Sequence, residues 1–261
     1  LECGDRANKS GLNAVEQATD CDREHIYRLS DLVERSGEDI DPDNVRDPFA
    51  MEFFEQNGKS KLAVGFVSFE HLLLVDLKPN GGLGDATSYS LGGGTSGGVQ
   101  SLALLPGYPD YLVGTASQRS YLYTIGLKAQ GDEEEEDYQR FSIGTAAAGS
   151  DLVDVVFSPK QEDGTATRTF AYVAVNGPGL IALVELTMAS RLVLEEDGSY
   201  TRLEEPVVQL LDTLSLDGVP SGLSLLSSPQ GERLFVANFE SDEVVVLSRR
   251  GESLLVEGVL G

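Results

Sequence analysis

Asp39, Asp41, Asp43, Asn44 and Asp47 carry the most pointed side-chain spacing in the chain, Asp-x-Asp-x-Asp-Asn-x-x-Asp. Alternating carboxylates on one short turn can converge several oxygens on a hard cation, so Asp39, Asp41, Asp43 and Asp47 are candidate calcium ligands. The run departs from a helix-flanked calcium loop: Asn44 stands where glycine is expected, Ala50 where a bidentate glutamate would sit, and Pro42 stiffens the middle. Its other reading is an acidic linker.

Other reactive residue types are sparse. His25 and His71 are the two histidines, and neither has a cysteine or second histidine at ligand spacing. Ser158 and Ser228 stand in turns without a Gly-x-Ser-x-Gly elbow, so no nucleophile is signalled. Asp154 interrupts an apolar run, and Asn176 and Asn238 end equivalent strands; such groups either face an axial channel or hydrogen-bond between packed sheets. Gly92, Gly93, Gly94, Gly97 and Gly98 are followed by neither helix nor lysine, which fits a turn rather than a phosphate cradle. No catalytic residue and no organic cofactor is assigned.

Cys3 and Cys21, the two cysteines, lie close together in a polar segment and are expected to form one disulfide in an oxidising compartment. The 261-residue chain carries 43 acidic and 19 basic side chains, a formal net charge of -24. That balance repels polyphosphates and anionic headgroups, which excludes nucleic acid as a favoured partner. No apolar run is long enough for a transmembrane helix.

The elements that must position these residues form an internal repeat. Second strands are expected at 62–66, 111–115, 170–176 and 234–238, and third strands at matching offsets at 71–77, 121–127, 180–186 and 243–248. First strands precede them at 48–54, 99–105, 152–157 and 222–226; the last three run into Pro106, Pro159 and Pro229, which cannot donate to a ladder. Fourth strands are expected at 87–91, 140–143, 207–216 and 254–259. A four-stranded antiparallel sheet repeating at this period cannot bury both faces until copies stack around an axis. The expected fold is therefore all-β, a β-propeller with four clear blades, and residues 25–30 are a candidate strand of a partial fifth. Residues 1–46 read as an N-terminal tail and 47–261 as the blades.

Residues 172–176 (Tyr-Val-Ala-Val-Asn) and 234–238 (Leu-Phe-Val-Ala-Asn) resemble the YVTN-type repeat of bacterial surface and periplasmic propellers, over most of residues 48–261. The resemblance implies an exported protein, periplasmic or on the cell surface. It implies fold more than chemistry. With no defensible nucleophile or base, the expected function is a non-catalytic scaffold that binds a protein or cell-surface component, or a subunit of a larger assembly. The alternative is a calcium-assisted hydrolase or lactonase on the same fold.

Overall fold

The computed structural model describes residue 32 and residues 48–67, 71–80, 82–91, 98–116, 119–127, 138–143, 151–159, 161–162, 167–194 and 198–261. Four antiparallel sheets follow one another along the chain. Blade 1 contains β1 (Pro48–Gln56), β2 (Lys59–Phe66), β3 (His71–Leu77) and β4 (Leu83–Ser90). Blade 2 contains β5 (Val99–Leu104), β6 (Tyr111–Ala116), β7 (Tyr121–Gly126) and β8 (Tyr138–Ser142). Blade 3 contains β9 (Leu152–Phe157), β10 (Gln161–Glu162), β11 (Thr167–Val175), β12 (Leu180–Leu194) and β13 (Tyr200–Ser215); β9 and the short β10 share one edge of β11. Blade 4 contains β14 (Pro220–Ser228), β15 (Gly231–Asn238), β16 (Glu243–Arg250) and β17 (Ser253–Leu260).

Each blade is a meander of antiparallel strands, and the first turn of blade 1 is tight. Asn57 and Gly58 adopt φ of 53° and 74° between β1 and β2, the two left-handed positions that a tight hairpin turn requires. The strands alternate in which blade they face. On β2 and β3, Ala63, Leu72 and Leu74 turn toward blade 2, whereas Val64, Leu73 and Val75 turn away from it. Blade 3 does the same: Ala171, Val173, Ala182 and Val184 meet blade 2, and Tyr172, Ala174, Ile181 and Leu183 meet blade 4. The period-2 pattern thus makes both faces of an internal blade apolar, and the core consists of the seams between blades.

The first strand of each blade is innermost, and β1, β5, β9 and β14 lie side by side in that order. All four run the same way: Asp154 on β9 is level with Ser101 on β5 and Leu223 on β14, each near its strand's start. Their pairing with the second strand slips at the same place, skipping Phe49, Gln100, Val153 and Ser221. A bulge repeated in every inner strand bends that strand and re-aims its first side chains at one end of the axis.

Two expectations of strand length change. The third and fourth strands of blade 3 extend to Leu194 and back to Tyr200, well past the expected 186 and 207. Beyond Leu186 the two strands pair only with each other, forming an arm that reaches across blade 2, where Tyr111 Oη donates to the Glu204 carbonyl and Gln139 Nε2 to Glu205 Oε2. Among the described residues no helix is long and apolar enough to cross a membrane.

Candidate functional site: the end of the axis where the inner strands begin

Because the inner strands are parallel, their starts share one end with the ends of the second strands and the starts of the third strands. That end gathers Asp151 before β9, Asn176 after β11, Asp217 before β14, Asn238 at the end of β15, and His71 and Glu243 at the starts of β3 and β16. Among its described residues this end is acidic. Asp151, Asp217, Glu240, Asp242 and Glu243 are present against Arg119 and against Arg140, whose Nη2 reaches the Leu91 carbonyl at 2.7 Å.

Asp154 is not a channel group. Its Oδ1 accepts from Ser101 Oγ at 2.9 Å and from its own strand's Val155 N at 2.8 Å, and its Oδ2 accepts from Leu223 N at 2.8 Å. One carboxylate thereby ties three neighbouring inner strands, and both of its oxygens have donors. Glu52 on β1 is a looser version: its Oε1 accepts from Leu104 N at 3.2 Å, and burial pushes its carboxyl above the usual range, with that bond pulling the other way.

Asp151 differs from both. Its backbone carbonyl accepts from Asn176 N at 2.8 Å, but its buried Oδ1 has no partner. Such an acceptor costs about 1–3 kcal/mol, so its place at the mouth of the axis is notable. The asparagines are occupied in part. Asn176 Oδ1 accepts from Gly177 N at 2.6 Å, while Asn238 Nδ2 donates to the Asp217 carbonyl at 2.6 Å and leaves its own buried Oδ1 without a donor.

The serines and the described histidine serve the strands. Ser158 is buried and its Oγ accepts from Phe170 N at 3.2 Å; Ser228 Oγ donates to the Gly231 carbonyl at 3.0 Å and accepts from Gln230 N at 3.3 Å. His71 Nδ1 lies 3.0 Å from Ser88 Oγ across β3 and β4. Asp39, Asp41, Asp43 and Asp47, with Cys3, Cys21, His25 and the glycine run at 92–97, lie outside the described residues. Among the described residues no three of His, Cys, Asp or Glu gather to hold a metal.

No protein-family model matches the sequence, and no curated protein does. Solved structures do match. A presumptive 6-phosphogluconolactonase from Bacteroides uniformis is 17% identical with a TM-score of 0.50, covering 79% of this chain and 55% of its own. The WD40 domain of SCAP from fission yeast is 18% identical with a TM-score of 0.49, covering 77% and 39%. The periplasmic gluconolactonase PpgL from Pseudomonas aeruginosa is 17% identical with a TM-score of 0.39, covering 82% and 69%.

The fold is a β-propeller. This chain spans about half the length of the Bacteroides structure, so the shared part is an arc of blades. The YVTN resemblance holds at the level of the propeller and no further. The comparison corrects the expectation of a non-catalytic scaffold, since the structure matched at a TM-score of 0.50 bears the name of a 6-phosphogluconolactonase. The physical reason for the error is that scarce histidine and missing elbow motifs argue against serine nucleophiles, not against carboxylate-assisted attack by water.

Proposed function

We propose that this propeller hydrolyses lactones at the end of the axis where the inner strands begin, with Asp151 as general base. The observation that carries the reading is the Asp151 carboxylate, whose buried Oδ1 has no partner while Asp154, three residues on, is fully engaged. The name borne by the Bacteroides neighbour supports the reaction class. In this reaction the Asp151 carboxylate takes a proton from water as the water oxygen bonds to the acyl carbon. The acyl carbon–ring oxygen bond then breaks, the ring oxygen takes up a proton from solvent to give the hydroxy acid, and Asp151 returns its proton to solvent.

The acidic end sets the substrate class. Five carboxylates against Arg119 and Arg140 repel a phosphate, so an unphosphorylated sugar lactone fits better than a phosphorylated one. Export is part of the proposal, supported by the pair Cys3 and Cys21.

The test is proton release from glucono-δ-lactone in a pH-stat, against the buffer-only rate and against the 6-phosphorylated lactone. The protein should exceed the buffer rate and prefer the unphosphorylated substrate. Asp151→Asn should lose roughly 100-fold in kcat, the low end for a positioned general base, with an unchanged melting temperature. A rate equal to buffer, or an Asp151→Asn variant as fast as the parent, defeats the reading.

A further inference from the structure

Blades 3 and 4 close the mouth of the axis with the same backbone bond. In each, the residue just past the second strand donates to the residue just before the first: Asn176 N to the Asp151 carbonyl at 2.8 Å, and Phe239 N to the Val219 carbonyl at 2.9 Å. Blade 4 makes this tie with a phenylalanine and a valine, so the tie requires no polar side chain from either residue. The carboxylate of Asp151 and the amide of Asn176 are therefore additions that the fold does not call for at this position. The shared bond holds them side by side.

Asn238, the other asparagine of this end, is not the counterpart of Asn176. It pairs with Pro220 as Val175 pairs with Leu152, and its Nδ2 is taken up by the Asp217 carbonyl at 2.6 Å. Asn176 is engaged through the other arm of its amide. Its Oδ1 accepts from Gly177 N at 2.6 Å, which fixes the amide plane, and among the described residues its Nδ2 donates to nothing. Gly177 and Gly179 hold φ of 81° and 62° on either side of Pro178, so the turn that carries this amide has little freedom. Asn176 is half-buried, so a ligand at this end can reach it.

We infer that Asn176 is a second catalytic residue of the lactone hydrolysis proposed above, donating through Nδ2 to the carbonyl oxygen of the substrate; the inference rests on that reading. As the water oxygen bonds to the acyl carbon and its proton passes to Asp151, the carbonyl π electrons move onto the carbonyl oxygen. Nδ2 stabilises the negative charge that develops there. When the carbonyl re-forms, the acyl carbon–ring oxygen bond breaks, the ring oxygen takes a proton from solvent, and Asp151 returns its proton to solvent. A donor already locked by its own backbone needs no reorganisation as that charge appears, so its contribution falls in the transition state. The acidic surroundings make the donor more necessary, because Asp151, Asp217 and Glu243 all oppose a new negative charge at this end.

The test is kcat and KM for glucono-δ-lactone, measured in the pH-stat for the parent, Asn176→Ala, Asn176→Asp and Asp151→Asn. Asn176→Ala should lose roughly 100-fold in kcat, the low end for one oxyanion donor. Its KM should stay within about threefold of the parent, the pattern of an interaction made only in the transition state. Its melting temperature should not change, since the backbone bond to Asp151 remains as it does at Phe239. Asn176→Asp keeps the shape and the bond from Gly177 N but puts an oxygen where the donor was, so it should lose at least as much; it decides the matter alone if Asn176→Ala unfolds. An Asn176→Asp protein as fast as the parent overturns the role. So does a loss carried by KM with kcat unchanged, which would mean ground-state binding only. In either case a parent that hydrolyses the lactone and is slowed by Asp151→Asn leaves the lactonase reading standing. A parent no faster than buffer removes that reading and the Asn176 role with it.

Discussion

The seam between blades 1 and 2 and the seam between blades 3 and 4 use the same repeat positions and hold by different means. At the first, closeness does the work: Gly65 on β2 sits where a Cβ would come within 2.9 Å of Val99 Cβ. Its polar ties are hydrogen bonds: Gln56 Nε2 donates to Asp110 Oδ1 at 2.8 Å and the Leu127 carbonyl at 2.9 Å, Arg140 Nη2 to the Leu91 carbonyl at 2.7 Å, and Leu104 N to Glu52 Oε1 at 3.2 Å. At the second, ions cross the seam. Tyr172 Oη donates to Glu232 Oε2 at 2.7 Å, Arg249 Nε donates to the same oxygen at 3.3 Å, and the Arg249 guanidinium lies 4.0 Å from the centre of the Phe170 ring. Burial, with Glu232 beside it, drives the Tyr172 hydroxyl far above its ordinary pKa, so it stays a donor across the working pH range. The repeat specifies which positions meet. It does not specify whether they meet by shape or by charge.

The largest effect should come from spoiling the steric seam. Gly65→Val places a branched side chain against Val99 and Leu102, of which the nearest atom is a Cβ that cannot swing aside. Overpacking of this kind costs about 3 kcal/mol, and thermal unfolding should show a drop of several degrees that salt does not alter. A Gly65→Val protein as stable as the parent would mean that blades 1 and 2 can separate, and the contrast between the seams would lose its steric half.

Removing the central polar tie should cost somewhat less. Asp154→Ala takes away the acceptor for Leu223 N and Ser101 Oγ at once. Orphaning one such donor costs about 1–3 kcal/mol. A denaturation midpoint lowered with an unchanged slope is the expected result, and Asp154→Asn should recover part of it by keeping one oxygen acceptor. No change in Asp154→Ala would put the strength of the seams wholly in their apolar faces.

These residues also show what could be read from the chain. The hairpins were legible because each blade repeats the period-2 pattern at fixed offsets, and Asp154 stood out as a carboxylate inside an apolar strand. Its donors did not, since Ser101 and Leu223 belong to other blades and nothing local connects them. Glu52 interrupts β1 in the same way, and its donor, Leu104 N, likewise lies on another blade. Asp151 carries no linear signal at all: it stands between Ser150 and Leu152 just before its strand, in no recognisable motif, and its unpartnered oxygen follows from the packing around it. The arm of β12 and β13 is not legible in the blade pattern because its outer half pairs only with itself, so its length is set by hairpin pairing.

The smallest effect should be found at Glu52, where it can be read from its pH dependence. Burial raises the Glu52 carboxyl above its unfolded value, so the folded state favours the protonated form. Stability from this group is then present below the unfolded pKa and is lost as pH rises through the folded one. Glu52→Gln keeps an oxygen for Leu104 N and removes the ionisation, so it should be more stable than the parent at neutral pH and indistinguishable from it near pH 3. Chemical denaturation of the two proteins at both pH values decides the matter. A Glu52→Gln protein that is less stable at neutral pH would mean that the ionised carboxylate is a net tie between β1 and β5. In that event the first seam, like the second, would depend on charge, and the distinction between them would lie in Gly65 alone.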